Sequence, residues 1–400
     1  MHHHRPLPCD RLNVECLIHE SVREITFPLH ARCRSTSSDY IVRHYITDLS
    51  CERLMRAIQK LQRAPGLILT DIPKPTCGLT DVVIEVHHAG VCGTDLHIAD
   101  WNEWAQGRIK PPIVVGHEFA GEIVEIGRYV GDTFHIGQRV TAEGHIVSGH
   151  TRQSRTGAGH VCPSTQIIGI DRDGAFAEYI AMPASNVMPL GDISTVTGAI
   201  MDPIGNAFHT VLTADIPGST VLVLGCGPIG CFAVGVAHAA GAARIFAADL
   251  VTRRLELARE MGAHVCIDVI QEDLVQRVMD ETHSAGVDVV CEMSGHPDAI
   301  RQALKCARPG GRVQLLGIPE KEVPIQIAND LIFKGLTVYG VVGRKMFETW
   351  YQMRSFLESG LFDPSPVVTH TFPMQQIDDA LAAIRSGEAG KVILEIGGSA

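Results

Sequence analysis

The chain reads as an α/β protein in which a doubly wound parallel sheet is joined to a second, β-rich domain. Three observations predict this. At 400 residues the chain exceeds what one compact core usually holds, which favours two domains. From Ser219 onward, strand-like text alternates with helical text, as in a parallel sheet covered on both faces. Within that alternation, Gly225-x-Gly227-x-x-Gly230 sits between an apolar, β-rich run and an alanine-rich run, which reads as strand, tight turn and helix.

Taken in order, residues 1–54 differ from the rest. They carry seven Arg, no Lys, four Cys (Cys9, Cys16, Cys33, Cys51) and no sustained helical or strand period. Seven acids balance the seven Arg, so the formal net charge of -11 belongs to the remainder. Acids such as Asp10, Glu15, Glu20 and Glu24 argue against a transit peptide. The irregular spacing of Cys9, Cys16, His19, His30 and Cys33 argues against a metal site. The segment is expected to be a disordered extension, or text upstream of a true start at Met55.

From Met55, "MRAIQKLQRAPGLILTDIPKP" and "DVVIEVHHAGVCGTD" mix alternating and continuous apolar runs as short strands do, so a β-rich domain is expected over 55–205. The strands "TVLVLG", "RIFAAD", "VDVVCEMSG" and "GRVQLLG", with the helices "RRLELAREMG" and "DAIRQALKCA", place the parallel sheet over 206–344. In the last segment, 345–400, "KMFETWYQMRSFLESG" and "QQIDDALAAIRSG" read as helices and "KVILEI" as a strand that returns to the first domain.

Composition narrows the function. With 45% hydrophobic and 20% charged residues the chain is globular, and its net charge of -11 disfavours nucleic acid, whose phosphates need a basic face. A small molecule is the expected partner. Twelve scattered cysteines without a signal peptide point to reduced thiols in the cytoplasm. Ile216 to Ala243 lacks Asp, Glu, Lys and Arg and has the length of a membrane span, but Gly225, Gly227 and Gly230 divide it into a buried strand, a turn and a buried helix.

Two constellations carry chemistry. In "VLVLGCGPIG" the first glycine permits the turn, Gly227 lets backbone approach a pyrophosphate, and Gly230 lets helix and strand pack closely, with the helix N-terminus favouring negative charge. Asp249 closes the next strand nineteen residues after Gly230, where it can accept from a ribose 2′-hydroxyl and repel a 2′-phosphate. NAD is therefore expected over NADP, with Arg253 and Arg254 as the opposing signal. In "GVCGTDLHIADWNEW" and "VVGHEFAGEIVEIG", Cys92, His117 and Glu118 offer a thiolate, an imidazole and a carboxylate, a set suited to a zinc with one open position. Such a zinc lowers the pKa of a bound hydroxyl so that a hydride can leave for a nicotinamide. Thr94 and His97 lie close enough in sequence to carry the proton outward.

From Met55 to near the C-terminus, the chain resembles the zinc-dependent medium-chain dehydrogenases through "AGVCGTDLHI", "PPIVVGHEFAGEIVEIG", "DPIGNAFHT" and "LVLGCGPIG". "WNEWAQ" and "GRKMFETWYQM" narrow the resemblance to members acting on threonine. The resemblance implies a GroES-like catalytic domain beside a Rossmann domain. It implies a catalytic zinc on Cys92, His117 and Glu118, a relay of Thr94 and His97, and Asp202 beside the metal as an alternating ligand or relay partner. Ile229, Asp249, Arg254, the turn Leu316, Gly317, Ile318, and Val341 with Val342 would contact NAD along with Gly225, Gly227 and Gly230. It further implies oxidation of L-threonine at its 3-hydroxyl to 2-amino-3-oxobutyrate by a cytoplasmic homo-tetramer. Residues 1–54 have no counterpart in it.

The departure is the lobe "EGHIVSGHTRQSRTGAGHVC". Where the family usually has four cysteines, this chain has Ser148, Thr151, Ser154 and Cys162, and hydroxyls rarely ionise enough to hold zinc. His145, His150 and His160 stand off the ligand positions. One catalytic zinc per chain is expected and a structural zinc is not, with Ser148, Thr151 and Ser154 bonding to nearby groups instead. Two rival readings remain: the same chemistry on another secondary alcohol or polyol, such as butanediol or sorbitol, and a non-catalytic NAD-binding protein.

Overall fold

The computed structural model describes residues 54–397. The expected extension over 1–54 lies outside the described residues except for Leu54, which opens a strand, Leu54–Lys60. That strand pairs antiparallel with Ile68–Pro73 and with the short strand Ile113–Val114.

The β-rich part is organised around one long strand, Asp81–Val91. Its apolar residues Val82, Ile84, Val86 and Ala89 are buried, and its length lets three other strands pair with it. Glu118–Ile126 runs along one edge. Tyr179–Pro183 pairs with the first half of the other edge and Lys391–Glu395 with the second. The C-terminal strand therefore lies inside this sheet, beside the end of the long strand that precedes Cys92. Arg139–Ala142, Val187–Pro189 and Val368–Pro373 complete the sheet.

The second part is a six-stranded sheet in the order Val265–Asp268, Arg244–Asp249, Thr220–Leu224, Val287–Glu292, Ala307–Leu315, Thr337–Gly340, with every pair parallel. Continuous apolar runs suit strands buried on both faces: Val221 to Leu224 and Ile245 to Ala248 are all buried. The helices Pro228–Ala239, Thr252–Glu260, Leu274–Glu281 and Pro297–Cys306 connect the strands. Strand order reverses beside Thr220–Leu224, which leaves a crevice at the carboxyl ends of the strands where ligands bind in open α/β sheets. Among the described residues no helix is long and apolar enough to cross a membrane.

The helices Met201–Leu212 and Glu348–Glu358 pack together between the two parts. One hydrophobic cluster runs from Ala120 and Leu190 through Ile204, Phe208 and Trp350 to Val223 and Phe232. Burying a side chain of the size of Phe208 contributes about 1.5–3 kcal/mol, so this cluster sets how the metal-side residues sit against the crevice.

Candidate active site

Cys92, His117 and Glu118 come together, each offering one ligand atom within 4.8 Å of the others. Their positions follow from the sheet. Cys92 follows the long strand and caps the helix Gly93–Asp100, where its backbone N–H donates to Asp95 Oδ2 at 2.9 Å. Glu118 opens the neighbouring antiparallel strand, opposite Gly90, and His117 precedes it. His117 Nδ1 is buried without a hydrogen-bond partner, 3.7 Å from Asp95 Oδ1, the arrangement by which a carboxylate orients a metal-ligating imidazole.

The electrostatics fit a cation. Burial works against charge on His117, yet Asp95, Cys92 and Glu118 outweigh it and carry its pKa up to about 10. Burial also raises the carboxyl of Glu118, with Asp202 adding to the effect and Lys391 and His117 opposing it. Lys391, itself buried, reaches Glu118 at 2.5 Å and donates to Val91 O at 2.9 Å. A thiol, an imidazole and a carboxylate this close together are the donor types a catalytic zinc takes, and the group could hold a metal ion.

Thr94 lies on the helix after Cys92, its Oγ1 3.7 Å from Cys92 Sγ. His97 is exposed one turn further on, and Asn102 Nδ2 approaches its Nδ1 at 3.1 Å. Asp202 occupies the first turn of the helix Met201–Leu212, where its Oδ2 pairs with Arg344 Nη1 at 2.7 Å.

The cofactor candidates gather at the carboxyl edge of the parallel sheet. Gly225 has φ +88°, a conformation that disfavours side chains, and a Cβ on Gly230 would lie 1.9 Å from Gly225 O. A Cβ at Gly227 would meet nothing within 4 Å, so the face a pyrophosphate needs is open. Ile229 stands in the first turn of the helix that begins at Pro228. Asp249 ends its strand, with Oδ2 accepting from Cys226 N at 2.7 Å and Oδ1 from Val251 N at 2.9 Å, while Arg254 lies 3.9 Å away. A cavity of about 360 Å³ opens between Gly225, Asp249, Leu250, Ser294 and His296. Leu316, Gly317 and Ile318 follow the fifth strand, the first two N–H groups donating to Glu292 O. Val341 and Val342 follow the sixth, Val341 buried and Val342 exposed.

The lobe folds around hydroxyls. Thr151 caps the helix Arg152–Arg155 by accepting from Ser154 N at 3.1 Å, and Ser154 Oγ donates to Thr151 O at 3.1 Å. Thr151 Oγ1 and Ser164 Oγ lie 3.1 and 3.3 Å from Cys162 Sγ, and these contacts, Ser164 first, lower the pKa of that thiol. Ser148 accepts from His150 N at 3.4 Å. Asn186 pins the base of the lobe by donating to Glu143 O and His145 O.

Several residues of this region were not singled out from sequence. Asp95 had a local signal, an acid three residues after the residue that begins a helix. Lys391 and Glu143 had none as individual residues, and Arg344 stood only inside "GRKMFETWYQM" with nothing to mark its partner, since Lys391 meets Glu118 across 273 residues and Arg344 meets Glu143 across 201.

Residues 228–359 match the family described as zinc-binding dehydrogenase, and residues 78–192 the one described as alcohol dehydrogenase GroES-like domain. The chain is 49% identical over 342 residues to an L-threonine 3-dehydrogenase of Bacillus licheniformis, covering 85% of this chain and 98% of that one. It is 45% identical to one from Bacillus subtilis, again over 85% of this chain and 98% of the relative. Among solved structures, an alcohol dehydrogenase from Escherichia coli complexed with NADH matches with TM-score 0.79 and 27% identity, covering 86% of this chain and 99% of that one. The 2R,3R-butanediol dehydrogenase of Bacillus subtilis matches with TM-score 0.77 and 28% identity, over 85% and 99%.

Proposed function

The chain belongs to the zinc-binding medium-chain dehydrogenase family, and on that premise we propose that it oxidises L-threonine to 2-amino-3-oxobutyrate with hydride transfer to NAD. One observation carries the reading: a thiol, an imidazole and a carboxylate converge within 4.8 Å in a chain that spans nearly all of threonine dehydrogenases at 45–49% identity.

Zinc held by Cys92, His117 and Glu118 would supply the Lewis acidity that brings a secondary hydroxyl toward ionisation near neutral pH. The chain's own groups do the rest. Asp95 orients His117 from behind, and Lys391 holds the carboxylate of Glu118 in place. Thr94, next to the metal group, accepts the substrate's hydroxyl proton while passing its own on toward His97, which is exposed on the same helix and releases a proton to solvent. Asp202 acts beside Glu118. Gly225, Gly227 and Gly230, with Ile229, Asp249, Arg254, Leu316 to Ile318, Val341 and Val342, hold NAD at the carboxyl edge of the sheet, so cofactor and substrate meet between a catalytic domain over 55–205 and a cofactor domain over 206–344.

A single zinc per chain is supported by the hydroxyls that surround Cys162 in the lobe, which are poor zinc ligands. Pairing of two chains, a step toward the homo-tetramer, is supported by the outermost strand of the parallel sheet, Thr337–Gly340, whose residues are all exposed and follow the exposed Ile332 and Phe333. The eight described cysteines are free thiols, which supports a cytoplasmic setting.

The test is a substrate panel followed by NADH absorbance. L-Threonine should give the highest kcat/KM, at least about a hundredfold above 2,3-butanediol and sorbitol, because a site that pairs charged substrate groups rejects analogues lacking them. A butanediol or sorbitol value above that of threonine would replace the substrate and keep the chemistry. No turnover of any alcohol by zinc-loaded protein would leave a cofactor-binding protein only.

A further inference from the structure

Glu143 is a fully buried carboxylate outside the metal group, and its partners come from distant parts of the chain. Trp350 Nε1 donates to Oε2 at 2.8 Å and Arg344 Nε at 3.0 Å, while Arg344 Nη2 donates to Oε1. His145 N donates to Oε1 at 2.8 Å, and His145 Nδ1 lies 2.9 Å from both Oε1 and Arg344 Nη2. Against the cost of burial, Arg344, His145 and Trp350 hold the carboxyl at about 2, so it stays ionised throughout the working range.

The remaining nitrogen of Arg344, Nη1, takes Asp202 Oδ2 at 2.7 Å. Arg344 is itself buried, and its path to Asp202 is built: it passes over Gly205, where a Cβ would lie only 2.6 Å from Arg344 Cδ. One guanidinium thus joins two carboxylates, one sealed in the interior and one whose charge is felt by Glu118. Two of the partners, Arg344 and Trp350, belong to the "GRKMFETWYQM" segment.

We infer that Glu143 is a positioning residue of the active site: it fixes the Arg344 guanidinium in the orientation that holds Asp202 beside Glu118. This rests on the reading of Asp202 as a working group at the zinc. With Glu143 ionised, two nitrogens of Arg344 are committed and one is left for Asp202. Without that charge, Arg344 is free to turn both of its terminal nitrogens on Asp202 and draw it from Glu118. Glu143 touches neither substrate nor cofactor, so its effect passes through Asp202.

The experiment is a double-mutant cycle on the zinc-loaded, full-length enzyme with Glu143→Gln, Asp202→Asn and the pair. kcat and KM for L-threonine are read by NADH absorbance and the NAD dissociation constant by fluorescence. Glu143→Gln should lower kcat about tenfold with NAD affinity within about twofold, and in the Asp202→Asn background should change kcat by less than about twofold. An equal loss in both backgrounds would show that Glu143 supports the fold alone and overturn the inference. If Asp202→Asn slows turnover but Glu143→Gln does not, the inference falls and the reading of Asp202 stands. If Asp202→Asn leaves kcat unchanged, that reading fails and takes the inference with it. Should Glu143→Gln not fold, Trp350→Phe removes one donor to the same carboxylate, and about a threefold loss that disappears in the Asp202→Asn background is expected, additivity again being the contrary result.

Discussion

Single residues divide the chemistry between two sites. Cys92→Ala removes the softest of the three proposed ligands, so zinc content and turnover should both fall to near zero while NAD binding, at the edge of the other sheet, stays within about twofold; retained zinc by metal analysis would move the site elsewhere. Asp249 has a double task, since it already accepts from Cys226 N and Val251 N. Asp249→Ala should therefore raise KM for NAD by loosening the turn and narrow the NAD-to-NADP ratio of kcat/KM by about tenfold or more, and an unchanged ratio would mean the carboxylate serves the turn alone. Glu143 ties stability to pH. Its pKa is depressed from 4.5 to about 2, so its stabilisation, about 3 kcal/mol, is fully present above 4.5 and is lost as pH falls toward 2. Urea midpoints for Glu143→Gln should accordingly lie well below the parent at pH 7 and converge with it between pH 4.5 and 2.

At the scale of elements, the lobe is the clearest case of a packing scheme built on hydroxyls. A capped helical turn, a two-stranded pairing of His145–Ile146 with Gln166–Ile167, and the edge-on contact of His160 with His209 at 5.2 Å give it a shape from within. Metal analysis should find about one zinc per chain. Ser148→Cys, Thr151→Cys and Ser154→Cys together should raise that toward two with little change in kcat. Two zincs in the natural protein, or loss of one in Cys162→Ser, would show ligands beyond Ser148, Thr151, Ser154 and Cys162. The helix Met201–Leu212 shows the complementary point: its text announced "DPIGNAFHT" as a family mark, but the reason for Gly205 became visible only with Arg344 lying across it.

For the molecule as a whole, the exposed strand Thr337–Gly340 is the feature that bears on assembly. A sheet edge with free N–H and C=O groups and with Val338 and Tyr339 exposed is a template for a second chain. Val338→Lys together with Tyr339→Lys should shift the mass seen in light scattering toward monomer, because a charge on the edge opposes strand addition. An unchanged mass would place the interface on another surface.

The sequence by itself determined the elements whose cause is local. Alternation of strands and helices announced the parallel sheet, glycine spacing announced the turn that NAD needs, and Cys92, His117 and Glu118 were readable because the family's motifs keep them in short, recognisable stretches. Thr151 and Ser154 were expected to bond within the lobe, and they do. Only the tertiary structure decided what surrounds these groups. Lys391 reaches Glu118 because the C-terminal strand pairs beside Cys92, and Arg344 reaches both Glu143 and Asp202 because two helices from opposite ends of the parallel-sheet region pack together. Such charges act through space over a few ångströms, while the chain that connects them runs for hundreds of residues. Spacing along a sequence carries no record of that proximity, and the fold alone brings the partners together.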